Sequence, residues 1–211
     1  MSMRILISST AFIALAACSG GAGGGLGGGN ATYAVLAADY LNFDLNRALG
    51  VSPSLPGAGS ASYGGSMVVA EDLYGGNGVY INGDVLIDDA DYAASGYIGE
   101  ASLTADFTGG GTATVSGTVT NFYDTSIDTV TGALTGTTGG VPGTVTLSNG
   151  AYPGGGDPTM DVTGSIDGQA AGGSMIFEFF GPSGSAILGE SLATGGMTLG
   201  GVNTDARLTS R

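Results

Sequence analysis

From Ser60 onward, apolar and polar side chains alternate one by one. Ala101, Leu103, Ala105 and Phe107 are interleaved with Ser102, Thr104 and Asp106. Ala113, Val115, Gly117 and Val119 alternate with Thr114, Ser116, Thr118 and Thr120, and Met160, Val162, Gly164 and Ile166 with Asp161, Thr163, Ser165 and Asp167. The same rhythm runs through Val79–Ile87, through Val145 and Leu147, and through Met175, Phe177 and Phe179 around Glu178. A period of two puts successive side chains on opposite faces of a strand, so each run predicts one buried and one wet face. Gly-rich breaks at 75–78, 109–111, 139–140 and 154–156 separate the runs. Even spacing with little helical pattern predicts an all-β fold, a small antiparallel β-barrel of about eight strands over residues 60–205. Closure would leave no sheet edges, which matters in a Thr- and Val-rich chain with few charged gatekeepers. Gly83, Gly117 and Gly164 fall at apolar parity, where a missing side chain lets strands bend or approach closely.

Residues 31–59 form a lead-in of different character. Ala34, Val35, Leu36, Ala37, Ala38, Leu41, Leu45 and Leu49 have partial three-to-four spacing, with Asp39, Asp44 and Arg47 on a wet side. Tyr33, Phe43 and two Asn residues weaken that pattern, so the alternatives are a partial helix and an irregular extended segment. Pro53 and Pro56 close it.

The first 30 residues contain no strand pattern. One positive charge, Arg4, precedes an apolar stretch from Ile5 to Ala17. A bilayer-spanning helix takes about 20 residues, so this stretch is short for a span and fits a secretory signal over residues 1–17. Ser19 to Asn30 is almost pure Gly, a composition that predicts a flexible tether over 18–30, reaching roughly 20 Å as a coil. No strand precedes this Gly run and no Gly-Lys-Ser/Thr follows, which excludes a phosphate-cradling loop.

Alternation alone does not distinguish a barrel in water from one in a membrane, because transmembrane strands also alternate. The polar positions carry Thr, Ser and single acids, and the few aromatics form no pair of girdles. Both features favour a wet exterior.

Composition narrows the chemistry. The formal charge is −14, from 18 acidic residues against four Arg, with no Lys and no His. Nucleic acid is excluded as a partner for want of a basic face, and electrostatic adhesion to anionic lipid is disfavoured. Without His, and with the single Cys18, no Ser-His-Asp triad, no thiolate–imidazole pair and no Cys/His zinc site can be built. Carboxylates and tyrosines remain, and no catalytic constellation is visible among them. We expect no enzyme and no cofactor.

Asp84, Asp88, Asp89 and Asp91 are the densest acidic group and the one candidate for a divalent cation, which takes several hard oxygens. The EF-hand pattern is missing, and a solvated acidic turn explains the cluster equally. Tyr92, Tyr97, Tyr123 and Tyr152 lie near predicted loop breaks. There they could anchor a protein or small ligand, or plug the barrel ends.

Leu15-Ala16-Ala17-Cys18 resembles the lipobox of bacterial lipoproteins at all four positions. The resemblance implies cleavage before Cys18, a diacylglycerol thioether on its sulfur, and a fatty acid such as palmitate on the new N-terminus. The alternative is an ordinary signal peptide that happens to end at a Cys. Several acyl chains would make a durable anchor, at about 0.8 kcal/mol per buried CH₂. In enterobacterial lipoproteins Asp after the Cys retains the protein at the inner membrane; here Ser19 follows, which favours the outer membrane.

Leu55–Gly65, then Leu103–Phe107 with Ala113–Phe122, then Phe179-Phe180-Gly181-Pro182 with Ala186 and Gly189, resemble the barrel of transferrin-binding protein B-like surface lipoproteins. The turn departs from the family pattern: Leu188 and Gly189 stand where an acid and a glycine are expected. The resemblance implies an eight-stranded barrel that binds through loops. It transfers no binding residue, and the chain has little room for the handle domain of those relatives. The function expected from the sequence is a lipid-anchored binding module for a protein or small ligand. The alternative is a structural or assembly accessory of the envelope.

Overall fold

The computed structural model describes residues 31–46, 54–70, 79–81, 84–86, 93–128, 133–152, 158–191 and 196–211. The segments expected to be signal and tether, Cys18, and Leu15, Ala16 and Ala17 of the expected lipobox lie outside this range.

One helix, α1 (Tyr33–Asn46), precedes the strands β1 (Gly59–Ala70), β2 (Val79–Ile81), β3 (Asp84–Leu86), β4 (Ala93–Gly109), β5 (Thr112–Asp128) and β6 (Leu134–Val141). There follow β7 (Gly143–Tyr152), β8 (Thr159–Ile166), β9 (Gln169–Phe180), β10 (Ala186–Ser191), β11 (Met197–Leu199) and β12 (Val202–Ser210). The all-β class expected from the sequence is what forms. Strands β1, β4, β5, β7, β8, β9, β10 and β12 pair antiparallel in that order, and β12 pairs back onto β1, closing a ring of eight. Strand β6 continues along the far half of β5, and β11 fits between β9 and β12 at one end.

Sequence parity decides what fills the ring. Leu103, Ala105, Phe107, Val115, Val145, Leu147, Met160, Val162, Met175, Phe177, Phe179, Ile187 and Leu208 form one continuous interior core. Their neighbours Ser102, Thr104, Asp106, Thr114, Ser116, Thr118, Thr144, Thr146, Asp161 and Thr163 are exposed. Apolar inside and hydroxylated outside is the reverse of a transmembrane barrel, which turns its apolar face to lipid. Among the described residues no helix is long and apolar enough to cross a membrane.

Two of the marked glycines explain the tight strand approach. A Cβ on Gly117 would strike the Ser102 carbonyl oxygen, and one on Gly164, at φ +146°, the Thr144 carbonyl oxygen. Gly83 lies outside the described residues.

Helix α1 lies against the outside of the ring. Leu36 and Tyr40 pack with Val68, Ala70, Ile98 and Ile127, while Val35 and Leu41 are exposed. The docking face therefore follows Tyr33, Leu36, Ala37 and Tyr40, a narrower stripe than the apolar positions of the sequence suggest. Asp39 belongs to the docked side: its carboxylate meets the Arg211 guanidinium at 3.2 Å, and Arg207 lies 5.7 Å from the Tyr40 ring centre. Strand β1 is thus covered on both faces over Gly65–Ala70, which accounts for its uninterrupted apolar run Met67-Val68-Val69-Ala70.

Three local expectations are corrected. The run Val79–Ile87 is not one ring strand: β2 and β3 form their own two-stranded sheet, Val79 opposite Leu86 and Ile81 opposite Asp84. Asn82-Gly83, a strong hairpin signal, sits between them. Gly139-Gly140 is not a break but the end of β6, and Pro142 separates β6 from β7. The last strand continues to Ser210, past the boundary at 205.

Candidate functional site

At one end of the ring the packed core gives way to a cavity of about 610 Å³. Ser95, Gly96 and Tyr97 of β4 and Asp124, Thr125 and Ser126 of β5 form one side, with Thr135 and Gly136 of β6 beyond them. Val69 and Ala70 of β1, Gln169 of β9, Leu199 of β11 and Thr204 of β12 complete the lining. Three aliphatic residues, a tyrosine and several hydroxyl, amide and carboxylate residues thus line one space, the mix expected of a small-molecule site.

The lining depends on a fault in the β-rhythm. Within β5, Ala113, Val115 and Val119 point inward at odd positions, but Phe122 is the next core residue. Asn121 sits at φ +53°, and the β4–β5 register shifts between Ile98 and Glu100. This bulge turns Phe122 inward, aligns Asp124 and Ser126 with the mouth, and sends Tyr123 and Ile127 to the outer face beneath α1.

Tyr97 is half-buried against the core. Its hydroxyl accepts a hydrogen bond from Gln169 Nε2 at 3.3 Å. Its pKa is raised, first by burial and then by the negative charges of Asp167 and Asp124. Opposite, Thr204 is 2 % exposed, and its Oγ1 has no hydrogen-bond partner among the described residues.

The four tyrosines singled out by the sequence do not converge. Tyr97 lines the cavity. Tyr123 is on the outer face, half-buried, donating to the Ala31 carbonyl at 2.9 Å. Tyr152 is an end plug, its ring 5.1 Å from Phe179 and 6.2 Å from Phe177 inside the ring. Tyr92 lies outside the described residues, as do Asp88, Asp89 and Asp91. Asp84 begins β3. Among the described residues no group of three or more His, Cys, Asp or Glu could hold a metal.

A second polar arrangement fixes the lead-in. Glu100, 8 % exposed, accepts the Ala31 N–H at 3.1 Å and Asn121 Nδ2 at 3.3 Å. Asn121 Nδ2 also donates to the Ala31 carbonyl at 2.6 Å. The Tyr33 hydroxyl bonds Thr125 Oγ1 at 2.9 Å, and its ring meets Tyr123 edge-on at 6.2 Å. Both backbone polar groups of Ala31 are therefore held by the same bulge that shapes the cavity.

Asp124, Gln169 and Thr204 were not marked by the sequence. Gln169 follows Asp167-Gly168, a hairpin signal that places it at a strand start. Asp124 is hidden because strict alternation from Val119 sends it outward. Comparison with protein-family models, with curated proteins and with solved structures finds no match to this chain.

Proposed function

We propose that this protein is an outer-membrane lipoprotein, acylated at Cys18, that displays a ring-shaped binding module on its Gly-rich segment and takes a small ligand at the ring mouth. The cavity carries this reading: an interior otherwise filled by aliphatic and aromatic side chains opens at one end into about 610 Å³ with polar walls. Ligand sites commonly enclose about 300–1,000 Å³. A closed antiparallel ring with a wet outer face is compatible with the transferrin-binding protein B-like resemblance. It also suits a domain held off a bilayer by lipid rather than embedded in it.

Two measurements test the halves of this reading. Mass analysis of the N-terminal peptide should find Cys18 carrying diacylglycerol, and Cys18→Ser should move the protein from the membrane to the soluble fraction. An unmodified, membrane-free wild type refutes the anchor. For the binding half, a screen of cationic, neutral and anionic small molecules should yield binders whose affinity falls in Tyr97→Leu. A blank screen refutes it.

A further inference from the structure

We infer that α1 is a releasable strap that braces the β6 wall of the mouth cavity, so that undocking of the helix opens the cavity on that side. The purpose of such a strap rests on the cavity being the ligand site; the bracing contact does not.

Strand β6 is the least secured part of the wall. Among the described residues it pairs with β5 alone, whereas the other lining strands each pair with at least two. Its ladder is also broken: Tyr123 stands opposite Gly140, but Thr125 stands opposite Gly136. A strand held on one edge by an interrupted ladder opens at low free energy, well below that of the closed ring.

The first turn of α1 supplies the missing support from outside. A Cβ on Gly136 would fall within the Tyr33 ring. Gly136 is not among the glycines at positive φ, so its backbone would accept a side chain. The Tyr33 ring and the Asp124 carbonyl oxygen, 2.7 Å from that Cβ, leave no room for one. The Tyr33 hydroxyl bonds Thr125 Oγ1 at 2.9 Å, on the residue paired with Gly136. One side chain thus ties β6 to β5 where both line the cavity. Leu134, at the start of β6, packs against the same outer cluster as Leu36 and Tyr40.

The helix can leave without dismantling the ring. Leu36 and Tyr40 belong to a cluster separate from the interior core, which contains no residue of α1. A helix of 14 residues is marginal by itself, so its order depends on docking. Tyr33 lies two residues beyond Ala31, whose grip on Glu100, Asn121 and Tyr123 fixes the strap's leading end. Release from that end therefore frees β6 first.

Hydrogen exchange of the full-length protein in detergent tests the brace. Tyr33→Ala should speed exchange in Leu134–Val141 at least about tenfold, through loss of the ring contact and a hydrogen bond. Tyr33→Phe, which keeps the ring, should speed it about two- to tenfold. Exchange in β8 and β9 should stay at the wild-type rate in both. Leu199, 6 % exposed, lines the same cavity from β11. Maleimide labelling of Leu199→Cys, read on its own peptide, should be at least about fivefold faster when Tyr33→Ala is added. Unchanged β6 exchange in Tyr33→Ala overturns the brace. So does β8 and β9 exchange rising together with β6, because helix and ring then open as one unit. Unchanged labelling overturns the opening. Neither measurement uses a ligand: a blank small-molecule screen leaves the strap standing, and failure of the strap leaves the cavity a ligand site.

Discussion

Phe179→Ala tests whether the closed interior holds the fold together. Phe179 is fully buried at the centre of four other aromatic rings: Tyr152 at 5.1 Å, Phe107 at 5.7 Å, Phe177 at 6.1 Å and Tyr63 at 6.3 Å between centroids. These neighbours come from β1, β4, β7 and β9, and a closed ring does not let those strands move together to fill a hole. Phe→Ala in a core costs about 3–5 kcal/mol, and poor collapse puts this site in the upper part of that range, about 4 kcal/mol. For a fold of this size that lowers the melting temperature by about 8–16 °C. Thermal and denaturant unfolding followed by circular dichroism would measure it. Phe179→Leu, which keeps most of the volume, should cost about 1–2 kcal/mol. A double-mutant cycle with Tyr152→Leu should show about 1 kcal/mol of coupling from the edge-on pair. If Phe179→Ala unfolds within 1 kcal/mol of wild type, the interior is not close-packed and the ring does not resist collapse.

Other substitutions probe separate features. Gly164→Ala drives a methyl into the Thr144 carbonyl from a backbone at φ +146°; it should cost about 3 kcal/mol or more, whereas Gly57→Ala, with open space around it, should be near neutral in the same melts. Burial lifts the Tyr63 phenol, which donates to the Gly184 carbonyl at 2.7 Å, to about 12 from 10.0. Its contribution is therefore intact below the unfolded value and is lost as pH rises from 10.0 through about 12. Absorbance titration should find a tyrosine titrating at about 12 that is absent in Tyr63→Phe. Glu100→Ala removes the acceptor of the Ala31 N–H, at about 1–3 kcal/mol. Hydrogen exchange should then accelerate across Tyr33–Asn46 while β7–β9 stay protected; unchanged exchange in α1 would show that the helix docks without the clamp.

The strand pattern was legible because burial in a closed sheet imposes a period of two. Leu103, Phe107, Val115, Val162 and Phe177 all face the side their parity assigns. The site was mostly illegible because it depends on a break in that period. Asn121, at φ +53°, shifts the rhythm by one residue, and nothing in the letters Asn-Phe-Tyr-Asp says whether the bulge falls before or after Asn121. Tyr97 and Tyr123 were marked only for lying near predicted loop breaks, which does not say which face either takes; the bulge leaves Tyr97 against the interior and sends Tyr123 outward. Thr204 could not be found at all, since what marks it is a missing partner, a property of packing rather than of sequence. The apolar positions of α1 misled for a similar reason: its contact stripe is set by the β1 and β4 surface, and Val35 and Leu41 are left over.

The grip on Ala31 has a mechanical consequence. Strand β1 is the seam partner of β12, and a pull applied straight to its N-terminal end would unzip the ring one hydrogen bond at a time. Force arriving from the residues before Ala31 instead meets Glu100, Asn121 and Tyr123 on β4 and β5, whose 17-residue strands form the longest pairing among the described residues. Load is taken broadside by this long pairing, so the seam is spared when the protein is tugged.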